Sequence, residues 1–385
     1  MANGLLHEVY KKCILCGMEK SAKDLLARNL RHYREVNGLT QTEAAAAAGV
    51  TRAAYLRAET GKSMPGDDVL GALCRRYRVK MTDFFQPMEV PQCAFLAKVC
   101  KSKERRARRL ETIRLACRLA RDRRMLREIG GRDVKTDEAT LEKVRVRVRQ
   151  DVDAGASRGR AVRNCLWPSG LYTPESLPIA VDRAGIVLCM MPFVERGVDG
   201  FSFHDDEIGW VIAVNASGDV SFEARSMALA HELGHVLQET ADGDHGSKGR
   251  HDKAEEAAVR FARELLIPKG AFVSRWNEYL GKSLWERVLA IKREFKVAAS
   301  TVLHQAIEFG LEKEDAYRVF AVQAREHGCS ASPDPCPCNA NMEDAIYDSL
   351  AMRACLDDEI TMSRCAEILG RPLIEVRKLL RERMS

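Results

Sequence analysis

Apolar positions along the chain first recur at helical spacing and only later alternate. Within residues 24–37, Leu26, Leu30 and Tyr33 fall on one helical face, and Gly38 ends the pattern. Thr40 followed three positions later by Glu43 has the form of a capping box and predicts a second helix. Gly49 breaks that helix, residues 50–59 form a third, and Pro65 with Asp67 opens a fourth that runs to about Tyr77. Residues 91–150 read as helical, basic and poor in proline, with an interruption at Gly130-Gly131. Residues 151–183 are mixed, and Pro168, Pro174 and Pro178 mark turns there.

Short β-type runs then follow at 185–193, 198–203 and 210–214. Ser221 is expected to cap a helix that passes Gln238. A polar stretch covers 242–248, and a helix over 252–266 stops at Pro268. Further helices are expected at 284–295, 299–309 and 313–326. A linker over 328–341 holds Pro333, Pro335 and Pro337, and the tail from Asp344 on is helical. Within that tail, residues 363–369, Gly370 and 373–381 have the outline of a helix-turn-helix.

These patterns predict a multidomain chain. A segment 1–22 precedes an all-α, five-helix domain at 23–90 and a basic helical linker region at 91–164. An α+β domain with a small antiparallel sheet and following helices comes next, at 165–328. A linker and helical C-terminal region occupy 329–385. The length of 385 residues fits two or three domains.

Hydrophobic residues are 46% of the chain and charged residues 30%, which excludes disordered and fibrous classes. No apolar run nears the roughly 20 residues of a membrane span, and the first ten residues lack the pattern of a signal peptide. A cytoplasmic protein without membrane contact is expected. The net charge of +6 is unevenly placed: twelve lysines and arginines lie between Lys101 and Arg127, against Glu104, Glu111 and Asp122. Such a stripe suits a polyanion, and a solvated helix face is the alternative. The 13 cysteines are odd in number and scattered, as expected of reduced thiols. Cys13-x-x-Cys16 and Cys336-Pro-Cys338 have no matching second half, and they are read as unliganded.

The strongest chemical signal is His231-Glu232-Leu233-Gly234-His235. Histidines four apart on a helix share a face and can bind one Zn²⁺, with Glu232 beside them as general base. A catalytic zinc needs a third protein ligand. Glu255 and Glu256 open the next helix. Glu255 is the preferred ligand, and the alternative is that both are first-turn acids favoured by the helix dipole. A donor for the oxyanion is sought among His204, His245, His251 and Tyr279.

Residues 225–235 resemble the metallopeptidase core of the ImmA/IrrE family. So do Glu255-x-x-Ala258-x-x-Phe261-Ala262-x-x-Leu265-Leu266-x-Pro268, Val198-Asp199-Gly200 and Val214-Asn215. The resemblance spans about 165–325 and implies a zincin-like fold of the gluzincin type. It also implies Zn²⁺ held by His231, His235 and Glu255, with Glu232 as the base in peptide hydrolysis. The third-ligand spacing is that of thermolysin-like enzymes. Those usually have Asn or Asp four residues further on, and this chain has Val259.

Residues 23–86 resemble the Xre family of helix-turn-helix domains. The residues that carry this are Leu30-Arg31, Arg34, Gly38-Leu39-Thr40-Gln41, Ala45, Gly49-Val50-Thr51, Glu59-x-Gly61-Lys62, Pro65 and Leu70. On that pattern Tyr55 and Ala58 face the core. Arg52, Ala53 and Arg57 read bases in the major groove, and Gln41, Thr51 and Lys62 hold phosphates. A homodimer on paired half-sites of an operator is expected.

The two resemblances together imply a DNA-binding regulator that cleaves a repressor, an antitoxin-like partner or itself, in a stress, phage or mobile-element response. A transcription factor with a non-catalytic metal sensor and a toxin–antitoxin-type regulator are the alternatives.

Overall fold

The structure, a computed structural model, describes residues 19–86, 102–150, 158–167, 173–237, 248–329, 334–338, 342 and 345–384. Its contacts divide it into two compact units, and of the described residues the first holds 19–86, 102–115 and 194–196.

In the first unit, helices Glu19–Val36 (α1), Gln41–Ala47 (α2), Arg52–Glu59 (α3) and Asp67–Tyr77 (α4) surround a core of Leu26, Leu30, Tyr33, Ala44, Ala45, Tyr55, Leu70, Leu73 and Phe84. The fifth helical piece is a 3₁₀ turn, Met81–Phe85. The capping box expected at Thr40 and Glu43 closes, and the Thr51 hydroxyl, expected only as a phosphate contact, also caps α3 by accepting from Ala54 N–H. Gly49 takes the left-handed conformation, φ 69°, that the turn between α2 and α3 requires. The Tyr55 hydroxyl is 2.9 Å from that of Tyr77, and burial pushes the Tyr77 phenol up to about 12.

The long helix Lys103–Ile129 (α5) departs from the polyanion reading of the basic stripe. Arg109, Arg114, Arg123, Arg124 and Arg127 are buried, so they are neither a solvated face nor a phosphate-binding stripe. Arg114 grips Glu111 through Nη2 at 2.7 Å and Nε at 2.9 Å, and His32 Nε2 is 2.9 Å from the same carboxylate. Burial pushes Glu111 up, but these partners outweigh it and hold the carboxyl below its usual range. Charge density is visible along the sequence, but apart from Glu111, three residues from Arg114, the acids that meet these arginines lie ten or more residues away in the chain. Lys101 lies outside the described residues.

The second unit is built on a three-stranded sheet of Val187–Met191 (β1), Gly200–Asp205 (β2) and Gly209–Asn215 (β3), in the order β1-β3-β2. It is mixed, which corrects the expectation of a purely antiparallel sheet: β3 is antiparallel to β2 and parallel to β1. Since β1 ends and β2 begins beside the end of β3, the intervening loop only has to cross that end. Asn215 secures it there, its Oδ1 accepting from Phe193 N–H at 3.2 Å and its Nδ2 donating to Val198 O at 3.2 Å.

Helices Val134–Gln150 (α6), Arg158–Leu166 (α7) and Leu177–Arg183 (α8) precede the sheet. Phe222–Leu237 (α9) and Lys248–Leu266 (α10) follow it, then Lys269–Glu278 (α11), Leu284–Phe295 (α12), Ala299–Glu308 (α13) and Ala316–Glu326 (α14). Their core joins Leu188, Ile212 and Val214 of the sheet to Leu229, Leu233, Phe261, Leu265, Trp276, Val288 and Val302 of the helices. The expected passage of α9 beyond Gln238 and most of the polar stretch 242–248 lie outside the described residues, as does Pro168.

A buried charge network ties these parts together. Asp137 of α6 accepts from Arg124 at 2.8 Å, Arg127 at 2.5 Å and Arg132 at 2.7 Å. Asp182 of α8 accepts from Arg132 at 3.0 Å and also from Arg127. The same arginines reach the sheet: Arg127 donates to Ile186 O at 2.8 Å, and Arg124 to Ile208 O at 2.6 Å.

Candidate metal centre

Ser221 starts α9 by accepting from Ala224 N–H, and the apolar run around residues 228–237 buries the helix. Glu223 in its first turn is fully buried and accepts from Lys292 Nζ at 2.5 Å and from Cys338 N–H at 2.7 Å. Burial pushes the Glu223 carboxyl up, yet Lys292 and backbone donors hold it below the usual range. The N-terminal end of the helix is therefore fixed by charge, and its body by packing.

Helix α10 packs directly on α9. A Cβ on Gly234 would lie 2.8 Å from Phe261 Cδ1, so only glycine allows this approach. Ala258 and Ala262 line the same side of α10 and are buried.

This packing brings the start of α10 to the paired histidines. His231 Nε2 and His235 Nε2 are 3.0 Å apart. Glu255 Oε2 lies 3.4 Å from His231 Nε2, and its Oε1 lies 3.7 Å from His235 Nε2. A tetrahedral ion with bonds of about 2.1 Å sets its ligand atoms roughly 3.4 Å apart, close to these separations, so the group has the right size for zinc. The donor chemistry, two imidazoles and a carboxylate, also suits Zn²⁺. Among the described residues this is the one group of three or more His, Cys, Asp and Glu side chains close enough to hold a metal. Glu256, the competing acid, is exposed and paired with Arg260 at 2.5 Å.

Glu232 is buried beside the pair, and Ser202 Oγ of β2 donates to its Oε2 at 2.8 Å. Ser202 carries no signal in the sequence, because a polar residue between Phe201 and Phe203 reads as the outward side of an alternating strand. Here that side faces α9. Val259 is half-buried and, being apolar, offers no hydrogen bond to a ligand imidazole. Of the oxyanion candidates, His204 is held by Glu138 at 3.0 Å. Tyr279 caps α11 and carries the Lys282 ammonium 5.1 Å above its ring. His245 and the side chain of His251 lie outside the described residues, as do Cys13 and Cys16. Cys336 and Cys338 are free thiols.

In the helix-turn-helix, Thr51, Arg52, Ala53, Arg57 and Lys62 are exposed, and Tyr55 and Ala58 are buried. Gln41 is half-buried and tethered, donating to Glu59 Oε2 at 2.7 Å, and Glu59 in turn accepts from Arg34 at 2.6 Å.

Two family models match the chain. The IrrE N-terminal-like domain, a peptidase family, matches residues 181–306. A helix-turn-helix domain matches residues 25–83. No curated protein matches it. The chain therefore joins a DNA-binding type of domain to a metallopeptidase type of domain. No described helix is long and apolar enough to cross a membrane.

Proposed function

For a chain that joins a helix-turn-helix to an IrrE-like peptidase domain, we propose a DNA-binding regulator that hydrolyses a protein partner, such as a repressor, or itself. The triangle of His231, His235 and Glu255 beside Glu232 carries the reading. These three side chains would hold Zn²⁺. When bound, the ion supplies Lewis acidity and brings the pKa of a water toward about 7. Glu232 takes the proton of the attacking water and returns it to the leaving amine. Ser202 holds that carboxylate through Oε2, which keeps its direction constant through both transfers. Strand β2 ends the sheet and pairs only with β3 among the described residues, so its outer edge offers backbone groups to an extended substrate.

A non-catalytic metal sensor is the second reading, and Val259 favours it. A partner that orients a ligand histidine is worth about 10–100-fold in affinity or activity. Comparing protein N-termini in cells that hold the wild type or Glu232→Gln separates the two. New cleavage products confined to the wild type support hydrolysis. Identical sets of termini with intact regulation would leave the sensor.

For the DNA domain, Arg52, Ala53 and Arg57 would meet base edges, and Gln41, Thr51 and Lys62 would meet phosphates of a duplex operator, with the protein acting as a dimer in the cytoplasm. Replacing Arg52 and Arg57 by alanine is expected to weaken binding to duplexes selected by the wild type, by about tenfold or more for each base no longer read. Gel-shift titration at fixed salt checks this, and unchanged affinity overturns the assignment of α3 as reading helix.

A further inference from the structure

The tail contains a second copy of the reading motif in three dimensions. Helices Ala345–Leu356 (α15), Met362–Leu369 (α16) and Leu373–Met384 (α17) close over a core of Leu126, Tyr347, Ala351, Cys365, Val376 and Leu380. At one constant offset, α16–turn–α17 repeats α2–turn–α3. Thr361 stands where Thr40 stands, and each hydroxyl accepts from the N–H three residues on, at 3.2 Å. Gly370 stands for Gly49, with φ 62° against 69°. The hydrogen bonds of the turn coincide: Gly49 N–H to Ala46 O at 3.1 Å matches Gly370 N–H to Glu367 O at 3.2 Å. Val50 N–H to Ala45 O at 3.0 Å matches Arg371 N–H to Ala366 O at 3.1 Å. Inward positions agree as well, with Cys365, Ala366 and Val376 buried where Ala44, Ala45 and Tyr55 are.

The outward face of α17 is what a reading helix needs. Ile374, Arg377, Lys378 and Arg381 recur at i, i+3, i+4 and i+7 and are all exposed, Ile374 at 79%. They take the places of Ala53, Leu56, Arg57 and Thr60, and exposed Leu373 takes that of Arg52, so α17 presents three exposed cations where α3 presents two, Arg52 and Arg57. Among the described residues Arg377 and Arg381 form no ion pair, and Lys378 reaches only exposed Glu382, at 3.8 Å. We propose that residues 361–384 form a second DNA-binding helix-turn-helix, with α17 in the major groove of duplex DNA. Its cations meet phosphates and guanine edges, and Ile374 meets a thymine methyl. A protein-docking helix would centre on an apolar stripe; here the exposed apolar side chains, Leu373 and Ile374, are confined to the first turn of α17, and three cations occupy the turns that follow. The inference is independent of the peptidase reading.

The test uses the full chain and a random-sequence 40-bp duplex pool, from which the wild type selects its sites. Against those sites, the triple variant Arg377→Ala, Lys378→Ala, Arg381→Ala is expected to bind about tenfold more weakly or worse. Its salt slope should fall by roughly one for each cation that touches phosphate. A hydroxyl-radical footprint should lose one protected segment and keep the segment read by α3. A control triple on α14 and the loop before it, Lys313→Ala, Arg318→Ala and Arg325→Ala, should leave affinity, slope and footprint unchanged. Equal affinity and slope in the α17 variant overturn the proposal, and so does an equal loss in the control. If DNA binding is intact while sedimentation shows that the α17 variant no longer self-associates, the face docks protein and the DNA reading fails.

Discussion

Purified protein is expected to carry about one zinc ion per chain, which Glu255→Ala and His235→Ala each lose and Glu232→Gln retains. The three ligand atoms lie close together, so deleting any of them leaves two donors where a catalytic zinc needs three from the protein. The loss should exceed the 10–100-fold that follows from removing a mere supporting hydrogen bond. Glu232 lies outside the triangle and is bonded to Ser202, so its amide variant keeps the metal while hydrolysis falls by about 10²–10⁴-fold. Elemental mass spectrometry of the wild type and the three variants checks the metal, and the set is needed because 13 cysteines offer other sites. Equal zinc in all four proteins would remove the three-ligand site and the hydrolytic function with it.

Asp137→Asn is expected to destabilise the second unit by about 3–5 kcal/mol, the cost of breaking a buried ion pair on one side. Asp137 and Asp182 together face three guanidiniums, those of Arg124, Arg127 and Arg132. Arg124 and Arg127 are nearly inaccessible to water, so neither can turn outward when the acid is neutralised. Since both also hold backbone carbonyls at the start of β1 and before β3, the sheet that carries Ser202 loosens with them. A fall in Tm of roughly 10 °C is expected for a unit of this size. Glu256→Gln at the exposed pair with Arg260 should shift Tm little, because solvent already screens that pair. Thermal denaturation followed by circular dichroism compares the two. Equal, small shifts would mean that the network contributes no more than a surface pair.

The candidate site is largely legible because its parts are local. His231, Glu232 and His235 lie within one helical turn and a half, and their spacing alone puts the two imidazoles on one face. Glu255 ranks above Glu256 by motif, and the structure supplies the distances of 3.4 and 3.7 Å that join it to the histidines. Ser202 is not legible, since its partner lies 30 residues away and strand alternation does not say which face meets a helix. The five buried arginines of the basic stripe are misread for the same reason. Charge along a chain is visible, whereas Asp137 and Asp182 approach those arginines only after folding.

By itself, the sequence determined the local grammar of this protein. Capping at Thr40 and Ser221, the turn at Gly49, the three strand runs and the paired histidines all follow from interactions within a few residues. These depend on backbone geometry and side-chain type alone. Tertiary structure decided the rest: the parallel pairing of β1 with β3, the interior fate of the arginines on α5 and the hold of Ser202 on Glu232. It also turned a weak helix-turn-helix outline in the tail into a folded copy with an exposed basic helix. Each of these depends on which distant segments share a face, and burial can select among such arrangements only once the whole unit has closed.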